Sequence, residues 1–369
     1  MNNSLNILCI SRAYGEHAGG MERLSFELIS ALKKIETNEV VTLVYATKPG
    51  RALWLSRLFS VLFSISILPR AIMLSRNADI IHLGDPVLSY IGWSIGLIRR
   101  IPVTVTVHGL DVAYRNPLYQ AYLRVFFRSF QGYIAISEHA QQLLGKIGIS
   151  NHVRVIPPGV LDNLYDASKK KEDMEALIRK NCSGKYVFAT IGRLVPRKGQ
   201  AWFIEHIIPK LPETVVYLVA GDGPDKDRIT RIIESLNLGD RVIMLGRISQ
   251  DAQKILLNTV DAFIQPNIPI VGDSEGFGIA PLEAALCARP VFASLLEGIP
   301  SAIRQRKNGI LLPAGETTAW INALTMFLHN PKSFEPSGLD ARTYTLRTFH
   351  WDTVVLQYQE EFTRLASRS

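Results

Sequence analysis

Short β-branched runs alternate with longer amphipathic stretches along this chain, and that alternation leaves few folds open. A first series places strands at Leu5 to Ile10, Val40 to Ala46, Asp79 to His82, Val103 to Val107, Tyr133 to Ile136 and Val153 to Ile156, with a helix from about Gly20 to Lys34. The stretches between most of them are long enough for crossover helices, which predicts a parallel, doubly wound sheet. After Pro157-Pro158-Gly159 the pattern loosens into a polar stretch, Asp162 to Asp173, that reads as a domain connection. A second series follows at Tyr186 to Ile191, Val215 to Ala220, Arg241 to Leu245, Ala262 to Ile264 and Pro290 to Ala293. At 369 residues the chain exceeds what one hydrophobic core usually serves, so the expectation is two Rossmann-like α/β halves.

Composition narrows the partners. With 47% hydrophobic and 20% charged residues the chain has side chains for two buried cores and is no disordered tail. A formal charge of +8 favours anionic ligands. The basic residues are scattered, as at Lys33-Lys34, Arg99-Arg100 and Lys169-Lys170-Lys171, without the aromatic-interleaved run that nucleic-acid strands require, so no nucleic acid partner is expected. Cys9, Cys182 and Cys287 lie far apart and form no metal-like pattern with the histidines, which suits reduced thiols in a cytoplasm. The apolar run Leu5 to Ile10 is too brief for a secretory signal, and no export is expected.

The apolar stretch Trp54 to Leu68, closed by Pro69-Arg70, is too short to span a bilayer, which needs roughly 20 apolar residues, and Arg57 lies inside it. Two readings stand: a helix packed in the first domain, or a helix whose apolar face meets an anionic membrane surface beside Arg51, Arg57 and Arg70.

Candidate chemistry collects at strand ends. Gly19-Gly20 sits between the first strand and first helix, where backbone N–H groups can approach an anion. His108 ends the strand Val103 to Val107 beside Gly109, at the sheet edge where open α/β folds bind ligands. Arg193 and Lys198 lie at a strand-to-helix corner flanked by Gly192 and Gly199, placed to neutralise a leaving diphosphate. In Glu275-Gly276-Phe277-Gly278-Ile279-Ala280-Pro281-Leu282-Glu283 a glycine loop meets a helix that should begin near Ile279, with Glu275 on the loop and Glu283 about one turn in. Such a pair can hold hydroxyls at two ends of an extended ligand while amides hold phosphate between them. The Gly221-Asp222-Gly223-Pro224 run lacks the third glycine of a dinucleotide fingerprint, which argues against a dehydrogenase.

Together these residues resemble family four of the retaining nucleotide-sugar glycosyltransferases, whose GT-B fold sets two Rossmann-like domains across a central cleft. The likeness runs through Gly19-Gly20, His108-Gly109 with Asp111, Ser137, Pro158-Gly159-Val160, Gly192-Arg193 with Lys198, Gly221 to Pro224, Leu245-Gly246-Arg247 and the Glu275 to Glu283 block. It implies an acceptor-side domain over residues 1–160, to which a terminal helix at 350–369 returns, and a donor-binding domain over 161–349. It also implies that Arg193 and Lys198 bind the donor diphosphate and Glu283 the ribose. Glu275, with the amides of Phe277 and Gly278 and the adjoining Ile279, would hold the sugar. Arg247-Ile248 would border the base, His108 would meet the sugar near the reacting carbon, and Gly19 and Gly20 would line the phosphate and acceptor.

The implied reaction moves a hexose from a GDP- or UDP-linked sugar to a saccharide or lipid-linked acceptor, with retention and with no metal or other cofactor. The implied location is cytoplasmic, peripheral on the inner face of the plasma membrane. The loop Asn267 to Ser274, longer than the family's shortest, resembles that of some mannosyltransferases and hints at the donor. A hydrolysing nucleotide-sugar epimerase on the same fold and a non-catalytic nucleotide-binding protein are the alternatives.

Overall fold

In the computed structural model the strands form two separate six-stranded sheets in which every paired neighbour is parallel. The structure describes residues 4–12, 20–44, 66–114, 116–334 and 336–367; Gly19, Arg51, Arg57 and all of Trp54 to Leu68 before residue 66 lie outside the described residues. Two compact units result, Met1–Gly159 with Phe349–Ser369, and Val160–Thr348.

In the first unit β1 (Leu5–Ser11), β2 (Asn38–Val44), β3 (Ile80–Leu83), β4 (Val103–Val107), β5 (Gly132–Ala135) and β6 (Val153–Val155) lie in the order β2-β1-β3-β4-β5-β6. The strands β3, β4 and β5 are buried along their whole length, because crossover helices cover both faces of a parallel sheet. The helix Trp351–Ala366 belongs to this unit. It buries Trp351, Val354, Val355, Tyr358, Phe362 and Leu365, a stripe at helical spacing. Trp351 Nε1 donates to Glu27 Oε2 at 2.8 Å, and Asn38 and Gln359 exchange side-chain amide bonds of 2.8 and 3.0 Å.

In the second unit β7 (Tyr186–Ile191), β8 (Val215–Ala220), β9 (Val242–Gly246), β10 (Ala262–Gln265), β11 (Val291–Leu295) and β12 (Ile310–Pro313) take the order β12-β11-β10-β7-β8-β9. Phe188, Phe203, Tyr217, Phe292, Trp320 and Phe327 fill the core on one face. Edge strand β12 is not among the strands expected from the sequence. The stretch Asp162 to Asp173 is also not a free connection. Asp162 accepts from Arg342 Nη2 at 2.6 Å, the Asp166 amide donates to Asn258 Oδ1 at 2.8 Å, and Lys171–Ile178 is already helical. Asp162 and Asp166 thus bind partners far along the chain within the same unit.

His82 on β3 shows what this interior does to a titratable group. Its Nδ1 lies 2.9 Å from Thr104 Oγ1 and its Nε2 3.1 Å from Thr106 Oγ1, with the Phe362 ring centroid 5.2 Å away. Burial, and then the nearby His108, push its pKa down to about 3. As pH falls below the ordinary histidine value, the unfolded chain takes up a proton that native His82 refuses. Stability should therefore fall by about 1.4 kcal/mol per pH unit from this group, down to the folded value. Urea unfolding of wild type and His82→Gln between pH 7 and pH 4 checks this: the variant's slope should be flatter, and an equal slope rules the assignment out.

Candidate active site

Where strand order reverses in a parallel sheet, the loops leaving two adjacent strands part in opposite directions and open a crevice at their carboxyl ends. In the second unit β7 and β10 form that pair. The chain leaves β7 through Gly192-Arg193 into the 3-10 turn Pro196–Lys198, and leaves β10 through Pro266-Asn267 into the loop that reaches Glu275. The two loops press together at Gly199, whose φ is 70° and whose Cβ, if present, would stand 1.8 Å from the Pro266 carbonyl oxygen. No other residue fits both the backbone angle and the gap. Gly221, after β8, is pinned in the same way, 1.8 Å from the Gly192 carbonyl oxygen.

This approach sets Lys198 against Glu275. Its Nζ lies 2.6 Å from Glu275 Oε2, and each side chain is only 12% exposed. The same Oε2 accepts from Asn267 Nδ2 at 3.1 Å, and Gln265 Nε2 in turn donates to Asn267 Oδ1. The Glu275 amide donates to Glu297 Oε2 at 2.5 Å, and its carbonyl accepts from the Gly298 amide at 3.1 Å. Burial pushes the Glu275 carboxyl up. Lys198 foremost, then Arg197 and the hydrogen bonds from Lys198 and Asn267, outweigh it and hold the group below the usual carboxylate range. Glu297 goes the other way: burial, reinforced by the Glu275 charge, raises it beyond what the Glu275 amide and Arg197 offset.

Three residues on, Gly278 adopts φ 102° and opens the helix Ile279–Leu286. Phe277 beside it is buried. Glu283 lies one turn in, also buried, and accepts from Gln253 Nε2 at 2.9 Å. The structure thus gathers Lys198, Glu275, Phe277, Gly278, Ile279 and Glu283 around one loop and helix start. The Lys198 stem passes beside Gly192, while Arg193 is exposed and makes no ion pair among the described residues. Arg247 is also exposed, its Nε 3.4 Å from Asp222 Oδ2, and Ile248 packs against the apolar cluster that contains Val187 and Leu218.

In the first unit the reversal falls between β1 and β3. Arg12, at the end of β1, pairs through Nε with Asp85 Oδ2 at 3.2 Å, and Asp85 follows Gly84 at the end of β3. His108, just after β4, reaches the same place: its Nε2 lies 3.0 Å from the Gly84 carbonyl oxygen. A carbonyl only accepts, so Nε2 carries the proton and Nδ1 is the nitrogen left for another partner. Asp111 accepts from the amides of His108 and Gly109, both at 2.8 Å, and so shapes the turn that presents the ring. Gly20 is the first residue of the helix Gly20–Lys33.

Residues 173–341 match the family model described as "Glycosyl transferases group 1", and residues 18–163 match "Glycosyltransferase Family 4". The chain belongs to the family 4, group 1 glycosyltransferases. A GDP-mannose-dependent alpha-(1-6)-phosphatidylinositol monomannoside mannosyltransferase of Mycolicibacterium smegmatis is 27% identical over 71% of this chain and 65% of its own length. A phosphatidyl-myo-inositol mannosyltransferase of Mycobacterium leprae is 25% identical over 80% of this chain and 76% of its own. Among solved structures, Anabaena HepE in complex with UDP superposes with a TM-score of 0.77 at 21% identity, over 98% of this chain and 100% of that one. Thermosynechococcus elongatus sucrose-phosphate synthase does so with 0.79 at 20%, over 99% and 100%. These likenesses give the fold, GT-B.

Several residues of this candidate site are not evident from sequence. Gln265, Asn267, Glu297 and Arg197 carry no motif of their own, and their roles appear only when the two strand-end loops meet. The local signal that exists is position: Gln265 and Asn267 flank Pro266 at a strand's carboxyl end, and Arg197 abuts Lys198. The buried pair has a direct thermodynamic signature. Lys198→Met should leave the Glu275 carboxylate with Arg197 as its one nearby cation among the described residues and cost about 2 kcal/mol, and adding Glu275→Gln should recover part of that loss. Urea unfolding of the two single variants and the double variant tests this; strictly additive losses would contradict the pairing.

Proposed function

We propose that the chain is a retaining hexosyltransferase, moving a hexose from a GDP- or UDP-linked nucleotide sugar to a saccharide or lipid-linked acceptor in cell-surface polysaccharide or glycolipid synthesis. The observation that carries this reading is the buried Lys198–Glu275 pair, held at the β7/β10 reversal of the unit that matches the group 1 model. The M. smegmatis relative, named for GDP-mannose, and HepE, solved with UDP, support a nucleoside diphosphate donor. The named relatives are transferases, which leaves the epimerase and the non-catalytic readings without support.

In this reading Arg193 and Lys198 take the diphosphate, Glu283 the ribose and Arg247-Ile248 the base edge. Glu275 and the amides of Phe277, Gly278 and Ile279 take the sugar hydroxyls. His108 offers Nδ1 to the sugar, and Gly19 and Gly20 lie with phosphate and acceptor. The acceptor oxygen attacks the anomeric carbon on the face the diphosphate leaves. The bond from carbon to phosphate oxygen breaks as the new glycosidic bond forms, and the departing phosphate oxygen receives the acceptor's proton. Two cations stabilise the charge that gathers on the diphosphate, the part a metal would otherwise play.

Peripheral attachment on the cytoplasmic face of a membrane completes the reading. Among the described residues no helix is long and apolar enough to cross a bilayer. Met73, Leu97 and Ile98 are exposed beside exposed Arg70, Arg76, Arg99 and Arg100, and Arg99 Nη2 donates to the Ile72 carbonyl at 3.4 Å. That mixture suits an anionic lipid surface.

A thermal-shift screen against GDP, UDP, GDP-mannose and UDP-glucose tests the donor: a ligand at 100 times its Kd should add roughly 2.7 kcal/mol of apparent stability. In the responding assay, Lys198→Ala and Arg193→Ala should each lower kcat by roughly a hundredfold. No shift with any nucleotide, together with no turnover, would refute the enzyme assignment.

A further inference from the structure

Lys198 has one ammonium group and, under the donor reading above, two anions that require it. In the structure it pairs with Glu275. When a diphosphate binds, Lys198 must turn towards it, and a carboxylate buried to this degree cannot be left without a cation. Arg197 is placed to meet that need. Its Nη1 lies 4.0 Å from Glu275 Oε2, the oxygen that Lys198 holds, and this Nη1 is buried without a hydrogen-bond partner. Its Nε is already anchored, 3.1 Å from Asp273 Oδ1 and 3.3 Å from the Ser274 carbonyl oxygen. Its own carbonyl accepts from the Ile268 amide at 3.0 Å. Arg197 therefore grips both ends of the 268–274 loop and brings the unpartnered Nη1 close to Glu275.

We propose that Arg197 is the positioning residue of this site, taking over Glu275 when Lys198 moves to the donor diphosphate and so keeping the carboxylate aimed at the sugar. The charged groups around Glu275 are then Lys198, Arg197, Asp273 and Glu297, two of each sign. Removing Lys198's contribution while Arg197 stays leaves one cation against the carboxylate; removing both leaves only acids. A shift of Nη1 by about 1 Å turns the 4.0 Å approach into a charged hydrogen bond. The fork geometry matters because only a guanidinium holds the loop with one nitrogen while offering another to the acid.

The test compares full-length wild type, R197K and R197Q. Calorimetry measures affinity for GDP and UDP, and steady-state kinetics with GDP-mannose and UDP-glucose are run from pH 5 to pH 9. R197Q should lose nucleoside diphosphate affinity severalfold, because releasing Lys198 then leaves Glu275 without a cation, and should lose more in kcat, about tenfold or more beyond the affinity loss. The acid limb of its kcat/KM profile should move to higher pH, since Glu275 is less well held ionised. R197K, which keeps the charge, should restore the limb and part of kcat. Equal loss of diphosphate affinity and kcat in R197Q would place Arg197 on the diphosphate itself and overturn the proposal. So would an unmoved acid limb or an unchanged kcat. If R197Q fails to fold by thermal melting, R197K decides alone: a displaced acid limb in that variant is also fatal. Failure of the donor reading would look different, because wild type itself would then bind neither GDP nor UDP and turn over neither sugar nucleotide.

Discussion

A carboxylate removed from water must find a cation, and Glu275 meets that condition through Lys198. Much of the local backbone follows from it. The two residues stand on loops from different strands, so the loops have to touch, and they touch where Gly199 lies against Pro266. The 3-10 turn Pro196–Lys198 aims the ammonium inward, and Asn267 supplies a second donor to the same oxygen. Glu297 accepts from the Glu275 amide, so side chain and main chain are each held by a separate partner. A single ion pair of this kind adds little net stability once desolvation is counted, but it fixes geometry, and geometry is what a donor site requires.

The two units reach comparable positions by different strand orders. In the second unit the reversal lies between β7 and β10, in the first between β1 and β3, and in each unit the candidate residues gather at the carboxyl ends of those strands or their neighbours. Two histidines of the first unit illustrate how placement decides role. His82 lies within β3, with a threonine hydroxyl at each ring nitrogen, and nothing is left for a ligand. His108 lies one residue beyond β4, spends one nitrogen on the Gly84 carbonyl and keeps the other. The residue type is the same; the difference is whether the strand has ended.

Strands that are buried on both faces announce themselves as apolar runs, and for that reason most of both sheets is legible in the amino-acid sequence. The edge strand Ile310–Pro313 is not, because it is short, ends in proline and pairs on one side with β11. Charges mislead where their partners are distant along the chain. Asp162 and Asp166 look like linker residues until Arg342 and Asn258 are seen beside them. The acidic motif and the basic corner are each visible in the sequence, but their direct union is not. Local spacing describes one helix or one loop, and this contact is made between two loops by the order of strands in the sheet.

That union changes how a donor would be received. If Lys198 and Glu275 stood apart and hydrated, binding a diphosphate would require both to be desolvated in that step. Here the desolvation is met during folding, and a diphosphate bound as proposed would compete with a carboxylate already in place for the same ammonium. Competition weakens ground-state binding. The charge on the leaving diphosphate grows as the glycosidic bond breaks, so the pull on Lys198 is strongest in the transition state. A cation shared with an internal anion therefore discriminates between the bound donor and the breaking bond more sharply than a free one, which is the direction that raises kcat rather than affinity alone.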